Sequence, residues 1–479
     1  MTRARSVMIL LLVVAAPSIA DAHVGSPNVY LEGAAGPYAL FVTVTPPVVV
    51  PGVADLEIRC IGSENIQAVH ITPLPLTGDG ARFLPVPDLA ERAEGDPHFF
   101  VGHLWMMSAG SWQVRIAVDG SSGRGELSVP VPALPSHTSG MSASLGIGLF
   151  VLMSVLAVGI IAIIGASVRE STLSPGVSLT DDRRTRARVS MIVAGLAVLL
   201  LLGFGRMWWS SEAMRYDRYV YKPIDLDARL DGARLDLSLA DPGWLPSRRL
   251  DDLVPDHGHL MHLFLVREPA LDRILHLHPV ARPNGQGAFS VELPSIDGGR
   301  YRAFADVVHE TGLGETGVAA IDLPEIFGSP PAGDDAVGRA PPIEAATSTT
   351  SPLEDGGRVV WVDKGVLSAK KTVVLRFRVE DAGGVPARGM GLYMGMIGHA
   401  AIVKSDFSVF AHVHPTGSVP MAAMMIANPS EGMHAQNTQD VPATIAFPFG
   451  FPSVGLYRLF VQFSRNGRIE TASFVARVD

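Results

Sequence analysis

The sequence predicts a mainly β protein, three β-sandwich domains with a two-helix transmembrane hairpin after the first. Three observations lead there. The 479 residues carry 49 glycines and 36 prolines set between short apolar runs, the pattern of many strands joined by turns. Two apolar stretches in the middle of the chain are long enough to cross a bilayer, which takes about 20 residues. The part that follows them repeats one strand arrangement, as a duplicated β domain would. Length alone is compatible with about three domains.

The chain opens with an export signal. Arg3 and Arg5 precede the apolar run "VMILLLVVAA", and Ala20 and Ala22 form an A-x-A cleavage pattern, so residues 1–22 read as a signal peptide. Cleavage after Ala22 makes His23 the first mature residue. Residues 23–135 alternate strand-like runs ("YALFVTVTPP", "ADLEIRCIG", "SWQVRIAVDG", "GRGELSVPVPA") with turns and read as a small sandwich. The single cysteine, Cys60, excludes an internal disulfide and a cysteine-rich zinc site, and reads as a small buried hydrophobe.

Residues 142–168 form the first span, without a charge. Residues 189–209 form the second, interrupted by Arg206 near an end that carries Trp208 and Trp209. The loop between them, 169–188, holds Arg169, Arg183, Arg184, Arg186 and Arg188 against Glu170, Asp181 and Asp182. Positive charge favours the cytoplasmic side. Both large regions are therefore expected on the periplasmic or exterior face of the inner, cytoplasmic membrane. Neither span carries the acids, histidines or breaks of a transporter.

Two β-rich regions follow, 223–325 and 352–479, joined by a Pro/Ala/Ser/Thr-rich stretch, 326–351, expected as a flexible linker. Each region contains a His that opens an apolar strand, a charged turn, and a second strand ending in His-x-His-Pro. The first is "HLFLVREPALDRILHLHP", His262–Pro279, and the second "HAAIVKSDFSVFAHVHP", His399–Pro415. A Gly-x-Tyr-Arg-x-Phe strand follows each, at Gly299–Phe304 and Gly455–Phe460. The second copy carries an insertion around Ser418–Phe447.

Side chains alternate along a strand, so His276 and His278 share a face, as do His412 and His414. An antiparallel hairpin with His262 roughly opposite His276 brings three imidazoles together. His399, His412 and His414 meet the same rule. Three converging imidazoles suit copper, zinc or nickel, and the alternative is a set of half-buried strand histidines bonded to carbonyls. The second copy is also rich in methionine, with Met390, Met394, Met396, Met421, Met424, Met425 and Met433, and thioether sulfur selects Cu(I). In one regular strand Met394 and Met396 would face away from His399, so they contribute only if the chain bends. His257 and His259 either extend the site from the loop before the strand or are solvated, with solvated the preferred reading, and His309 is a minor candidate. A mature His23 could chelate copper through its amine and ring, completed by His70, His98 or His103.

These motifs resemble bacterial periplasmic metal-binding β domains. The His-x-His-Pro hairpins, the strands "GHLMHLFLV" and "GHAAIV" and the Gly-x-Tyr-Arg strand are similar to YtkA-like proteins. The stretch "GSWQVRIAVDG" and the His23 start resemble FixH- and CopC-type modules. The resemblance implies Ig-like or cupredoxin-like sandwiches that handle copper or other heavy metals outside the cytoplasm. It transfers a ligand role to His262, His276, His278, His399, His412 and His414, and to His23.

The net charge of −9 argues against a nucleic-acid partner. No Gly-x-Ser-x-Gly elbow, His-Glu-x-x-His motif or phosphate-binding loop points to a hydrolase or nucleotide enzyme. The expectation is a non-enzymatic, membrane-anchored copper protein, Cu(I) or Cu(II), with zinc as the other candidate ion. It would serve homeostasis, storage or delivery, exchanging its ion with a periplasmic donor or acceptor protein. Two other classes stay open: an envelope interaction module with structural histidines, and a copper redox enzyme built on His23. No feature fixes the oligomeric state.

Overall fold

The computed structural model describes residues 28–62, 65–174, 176–244, 248–283, 285–345, 349–429 and 441–479. The signal peptide and His23, and Met433 with His434, lie outside the described residues. The chain is mainly β, with strands gathered into several sheets and, among the described residues, three α-helices.

The first unit packs two antiparallel sheets. One contains Val29–Ala35, Tyr38–Thr45, Gly52–Ile61 and Phe99–Met106; the other contains Ile66–Pro75, Gly110–Gly120 and Gly123–Ala133. Along Gly52–Ile61 every second residue, from Ala54 to Cys60, is buried, as a strand with one face on a core requires. The free Cys60 lies in that core, and burial pushes its thiol up to about 11. It is the buried hydrophobe expected.

Helix α1 (Ala143–Glu170) starts where the Ser142 side chain accepts a hydrogen bond from Leu145 N. Helix α2 (Asp181–Asp217) overruns the expected span at both ends, because the polar flanks continue as helical turns and shorten the loop to residues 171–180. Both are long and apolar enough to cross a membrane, and their large apolar side chains are exposed. They pack closely at Gly165, where a Cβ would sit 2.5 Å from the Met191 sulfur.

The two copies share one strand order and register. In the first, His262–Arg267 lies between Arg273–Leu277 and Gly299–His309, with Phe264 opposite both His276 and Phe304. In the second, His399–Lys404 lies between Phe410–Val413 and Gly455–Arg465, with Ala401 opposite both His412 and Phe460. Gly299–His309 and Gly455–Arg465 then pair with Gly314–Leu323 and Arg468–Val478. Each copy has its own hydrophobic core, and a further cluster joins them. That cluster is built from matching residues: Phe264, Val266, Ile274 and Phe304 from one copy, Ala401, Val403, Phe410 and Phe460 from the other. Phe304 and Phe410 stack at 4.1 Å with planes 7° apart.

Residues 326–351 are not all loop. Ala336–Arg339 forms a strand beside Arg273–His276, and Gly338 passes so near the second copy that a Cβ would meet Thr471 at 2.6 Å. Its composition lacks an apolar alternation, so the pairing had no signature in sequence. The insertion in the second copy holds a short helix, α3 (Met421–Ala427), which packs on the first unit. Val419 and Ala423 join that unit's core, and Asn428 exchanges hydrogen bonds of 2.9 and 2.8 Å with the Ser128 backbone.

Truncating a stacked ring between the copies removes buried area that no neighbour refills. Phe410→Ala is expected to lower stability by about 3–5 kcal/mol, read from the denaturant midpoint of the detergent-solubilised chain.

Candidate metal centre

The hairpins bring the histidines together in a register two residues from the one expected. With Phe264 opposite His276, the line of pairing runs on to set His262 against His278, and likewise His399 against His414. A shift of two keeps every ring on its expected face, whereas a shift of one would have scattered them. His262, His276 and His278 form one group whose candidate ligand atoms all lie within 4.8 Å of one another. The second such group is His257, His399 and His414. The expected member His412 stays beside it, its Nε2 3.2 Å from His399 Nδ1.

Hydrogen bonds at the outer nitrogens set the tautomers. His262 Nε2 faces the Asp256 carbonyl at 3.0 Å and must donate, which leaves Nδ1 as a lone pair. His276 Nδ1 faces Gln462 Oε1 at 2.9 Å and Tyr393 Oη at 3.2 Å, and the Tyr393 hydroxyl donates to the Asp334 carbonyl at 2.7 Å. His276 Nδ1 therefore carries the proton. Its Nε2 lone pair then points at the Nδ1 lone pair of His262 from 3.1 Å. His278 donates Nδ1–H to Asp335 Oδ1 at 3.0 Å, and its buried Nε2 has no partner among the described residues. Three lone pairs converge with no proton between them. A tetrahedral ion with nitrogens at about 2.0–2.1 Å holds them about 3.3–3.4 Å apart, close to the separation of His262 and His276.

The second group repeats the arrangement. His399 donates Nε2–H to the Tyr393 carbonyl at 3.2 Å, and His414 donates Nδ1–H to the Val419 carbonyl at 3.3 Å. His412 Nδ1 faces Asp306 Oδ2 at 3.5 Å. His257 donates Nδ1–H to the Met394 carbonyl at 2.8 Å. The buried Nε2 atoms of His257 and His414 have no partner among the described residues. Outer acceptors that fix the ring and its tautomer are the usual support of metal-binding histidines.

The two groups are related as the copies are. Asp306 and Gln462 occupy matching positions opposite His262 and His399, and each supports the other copy's histidine: Gln462 holds His276, and Asp306 faces His412. His262 and His412 have ring centres 5.3 Å apart, so the groups are neighbours.

His257 and His259, read from sequence as solvated, belong to this cluster. His257 sits 4.8 Å, ring centre to ring centre, from both His399 and His414. His259 stacks on His278 at 3.9 Å and binds Asp334 at 3.0 Å. They hang from a tight turn, Asp256–His259, with His257 at φ 51° and Gly258 at φ 88°. The second copy has the same turn at Tyr393–Met396, with Met394 at φ 50° and Gly395 at φ 77°. Strand parity failed because these residues are in turns, not strands. The signal was present: "DHGHLMH" and "YMGMIGH" align without a gap, matching His257 with Met394 and His259 with Met396. Both methionines therefore stand in a bend at the site's edge, and Met396 is buried.

Burial dominates the electrostatics. It holds His262, His276, His399 and His412 well below the usual imidazole range, reinforced by neighbouring rings that cannot all be charged. It lowers His278 and takes His414 to about 3. The rings are neutral at neutral pH and offer their lone pairs.

Other candidates lie elsewhere. His70 pairs with Asp119 at 3.5 Å and His103 with Asp55 at 2.7 Å. Met421, Met424 and Met425 are on α3, and Met390 is in the second copy's core. His309 is buried between Asp252 and Glu315, at 2.7 and 3.0 Å, and Glu315 is also gripped by Arg248. Burial opposes charge on His309, but these two carboxylates outweigh it and raise its pKa above 6.5.

A family described as a domain of unknown function (DUF8832) matches residues 233–319 and 351–479, and the matched segments contain both hairpins. No curated protein matches the chain. Among solved structures, the chicken CNTN1 FN1–FN3 domains align at 10% identity over 91% of this chain and 97% of that one, with a TM-score of 0.14. Latent PorU from Porphyromonas gingivalis aligns at 9% identity over 95% and 34%, TM-score 0.15. A Salmonella alpha-2-macroglobulin mutant aligns at 10% over 93% and 24%, TM-score 0.19. Scores this low carry no argument about the site.

Two tests follow from the geometry. Asp335→Ala frees His278 without touching a ligand nitrogen, and is expected to weaken metal binding about 10–100-fold in competition titrations with the fold retained. Charged His309 stabilises the folded chain below its unfolded pKa of about 6.5, and that stability is lost as pH rises through the raised folded value. The melting temperature should therefore fall with rising pH over that window, and His309→Gln should make the slope shallower, leaving the part that Asp306 contributes below its raised value of about 7.

Proposed function

We propose that this chain is a membrane-anchored protein that holds two transition-metal ions, copper, in adjacent histidine sites between its two duplicated β units. One observation carries the reading. In both copies the outer ring nitrogens are committed as donors to carbonyl, amide or carboxylate oxygens, so the inner nitrogens converge as bare lone pairs. An interaction module with structural histidines would need partners for them, and among the described residues the Nε2 atoms of His257, His278 and His414 have none.

Imidazole alone accepts copper, zinc or nickel, and one feature favours copper. Neither ligand group contains a carboxylate, which sets aside the hard ions magnesium, calcium and manganese. The bend that carries Met394 and Met396 adjoins the cluster through the Met394 carbonyl on His257, and thioether sulfur in that bend favours Cu(I). Helices α1 and α2 supply the anchor, and the arginines at their facing ends, Arg169 on α1 and Arg183, Arg184, Arg186 and Arg188 on α2, support a cytoplasmic turn with both large regions in the periplasm or exterior. The likeness to YtkA-, FixH- and CopC-type modules fits this reading. Storage is favoured over delivery by a swinging domain, because the segment between the copies is strand-paired and the copies share a core.

The test is metal content and competition titration of the purified full chain. Two copper equivalents are expected. His278→Ala and His414→Ala should each weaken one of them by more than about 100-fold, beyond what loss of a supporting residue does. A folded chain that binds no copper would overturn the reading and return the histidines to structure.

A further inference from the structure

Two stretches of the first unit carry no charge: residues 48–53, "VVVPGV", and residues 104–112, "LWMMSAGSW". The sheet brings them together, because Gly52 pairs with Met106 and Val53 with Trp105 at one end of the strands Gly52–Ile61 and Phe99–Met106. Met106 turns into the core, whereas Val48, Val53, Trp105 and Met107 are 58, 38, 60 and 62% exposed. Apolar side chains gathered in this way, unlike single ones scattered over a surface, mark a contact.

What covers them follows from where the helices leave. Ser136 N and His137 N, just before α1, donate to the Val48 carbonyl at 3.0 and 3.1 Å. The Tyr216 hydroxyl, in the last turn of α2, donates to the Val50 carbonyl at 3.0 Å. Both helix ends are therefore fixed to the loop that begins this edge. The large apolar side chains of α1 and α2 are exposed, so the helices stand clear of the β units and a bilayer around them meets this end of the first unit. Trp208 and Trp209 mark the outer membrane level on α2, and Tyr216 follows about two turns later, which sets the loop it holds near the headgroups.

The outward face of the sheet changes character with distance from this end. After the Val53–Trp105 pair comes Asp55 opposite His103, ion-paired at 2.7 Å, and then the exposed Glu57 opposite Val101. Apolar beside the helices and charged beyond them is the order that a lipid surface imposes, and tryptophan is favoured at headgroup level. An edge without charge enters that layer with no ion to desolvate. We infer that the first unit rests on the lipid surface through Val48, Val53, Trp105 and Met107, a membrane contact additional to the two spans. This rests on the membrane-anchor reading above and is independent of the metal.

The experiment places nitroxide labels on the full chain in lipid nanodiscs. It measures collision with oxygen, which concentrates in lipid, and with a nickel chelate, which stays in water. Native Cys60 is buried, so the single variants Val53→Cys, Glu57→Cys, Met107→Cys and Leu156→Cys take the label at the new thiol. Expected is a lipid-type ratio at residues 53 and 107, and a water-type ratio at residue 57, about 13 Å further along the face that carries residue 53. Adding Trp105→Glu should move the residue 107 label to the water-type ratio. Position 156, in the middle of α1, reports on the anchor: water there overturns the membrane reading and this inference with it. Hydrocarbon at residue 156 with water at 53 and 107 overturns the inference alone. Labels at 53 and 107 shielded from both reagents overturn lipid as the occupant and assign the edge to a protein.

Discussion

The structure depends on one constraint: a cluster of imidazoles is buried between two sheets, and burial forbids them charge. A buried neutral imidazole must place one donor and one acceptor, and an unmet polar atom in a dry site costs about 1–3 kcal/mol. The surrounding elements answer that demand one nitrogen at a time. The two tight turns present the Asp256 and Tyr393 carbonyls to His262 and His399. The strand-paired segment after the first copy delivers Asp334 and Asp335 to His259 and His278. The insertion in the second copy presents the Val419 carbonyl to His414 and gives Ala422 N to the buried Asp256 carboxylate. Segments that look like accessory loops are thus the parts that fix the rings.

Duplication explains the symmetry, and departures from it explain the fit. At matching positions near the contact stand Phe264 and Ala401. Phe264 stacks on His276 at 4.1 Å and also approaches His412 at 5.0 Å, so one aromatic ring serves both groups. The alanine opposite leaves room for it. Gln462 and Asp306 are likewise a matched pair with different charge, so His276 is held by a neutral amide and His412 by a carboxylate that burial raises to about 7. The turns differ most, with two histidines in one copy and two methionines in the other. The two groups share a scaffold but have different donors at their edges, the form that divergence takes when two sites stop being interchangeable.

The sequence was most legible where chemistry followed strand periodicity. The apolar runs around His262, His276, His399 and His412 showed strands, and the i, i+2 spacing of each His-x-His pair put both rings on one face. The helices were legible from length and apolarity, and Cys60 from its solitude. What escaped were contacts between distant segments. Nothing near Ala336 says that it pairs with His276, and nothing near Gln462 says that it supports a histidine 186 residues away. His257 and His259 were misread because alternation was extended into a turn, where positive φ at His257 and Gly258 reverses the chain and with it the face. Comparing the copies residue by residue, rather than motif by motif, was the route to that turn.

Burial also sets what the site can do with an ion. The second copy covers the group His262, His276 and His278 with Gln462 and Tyr393, so the copies must part before an ion held there could leave past them, and the inter-copy core resists that parting with stacked Phe304 and Phe410. Release through domain opening therefore requires breaking packed apolar contacts, so exchange by that route is slow. An ion held there would stay in place while the copies remain joined, which fits storage rather than delivery.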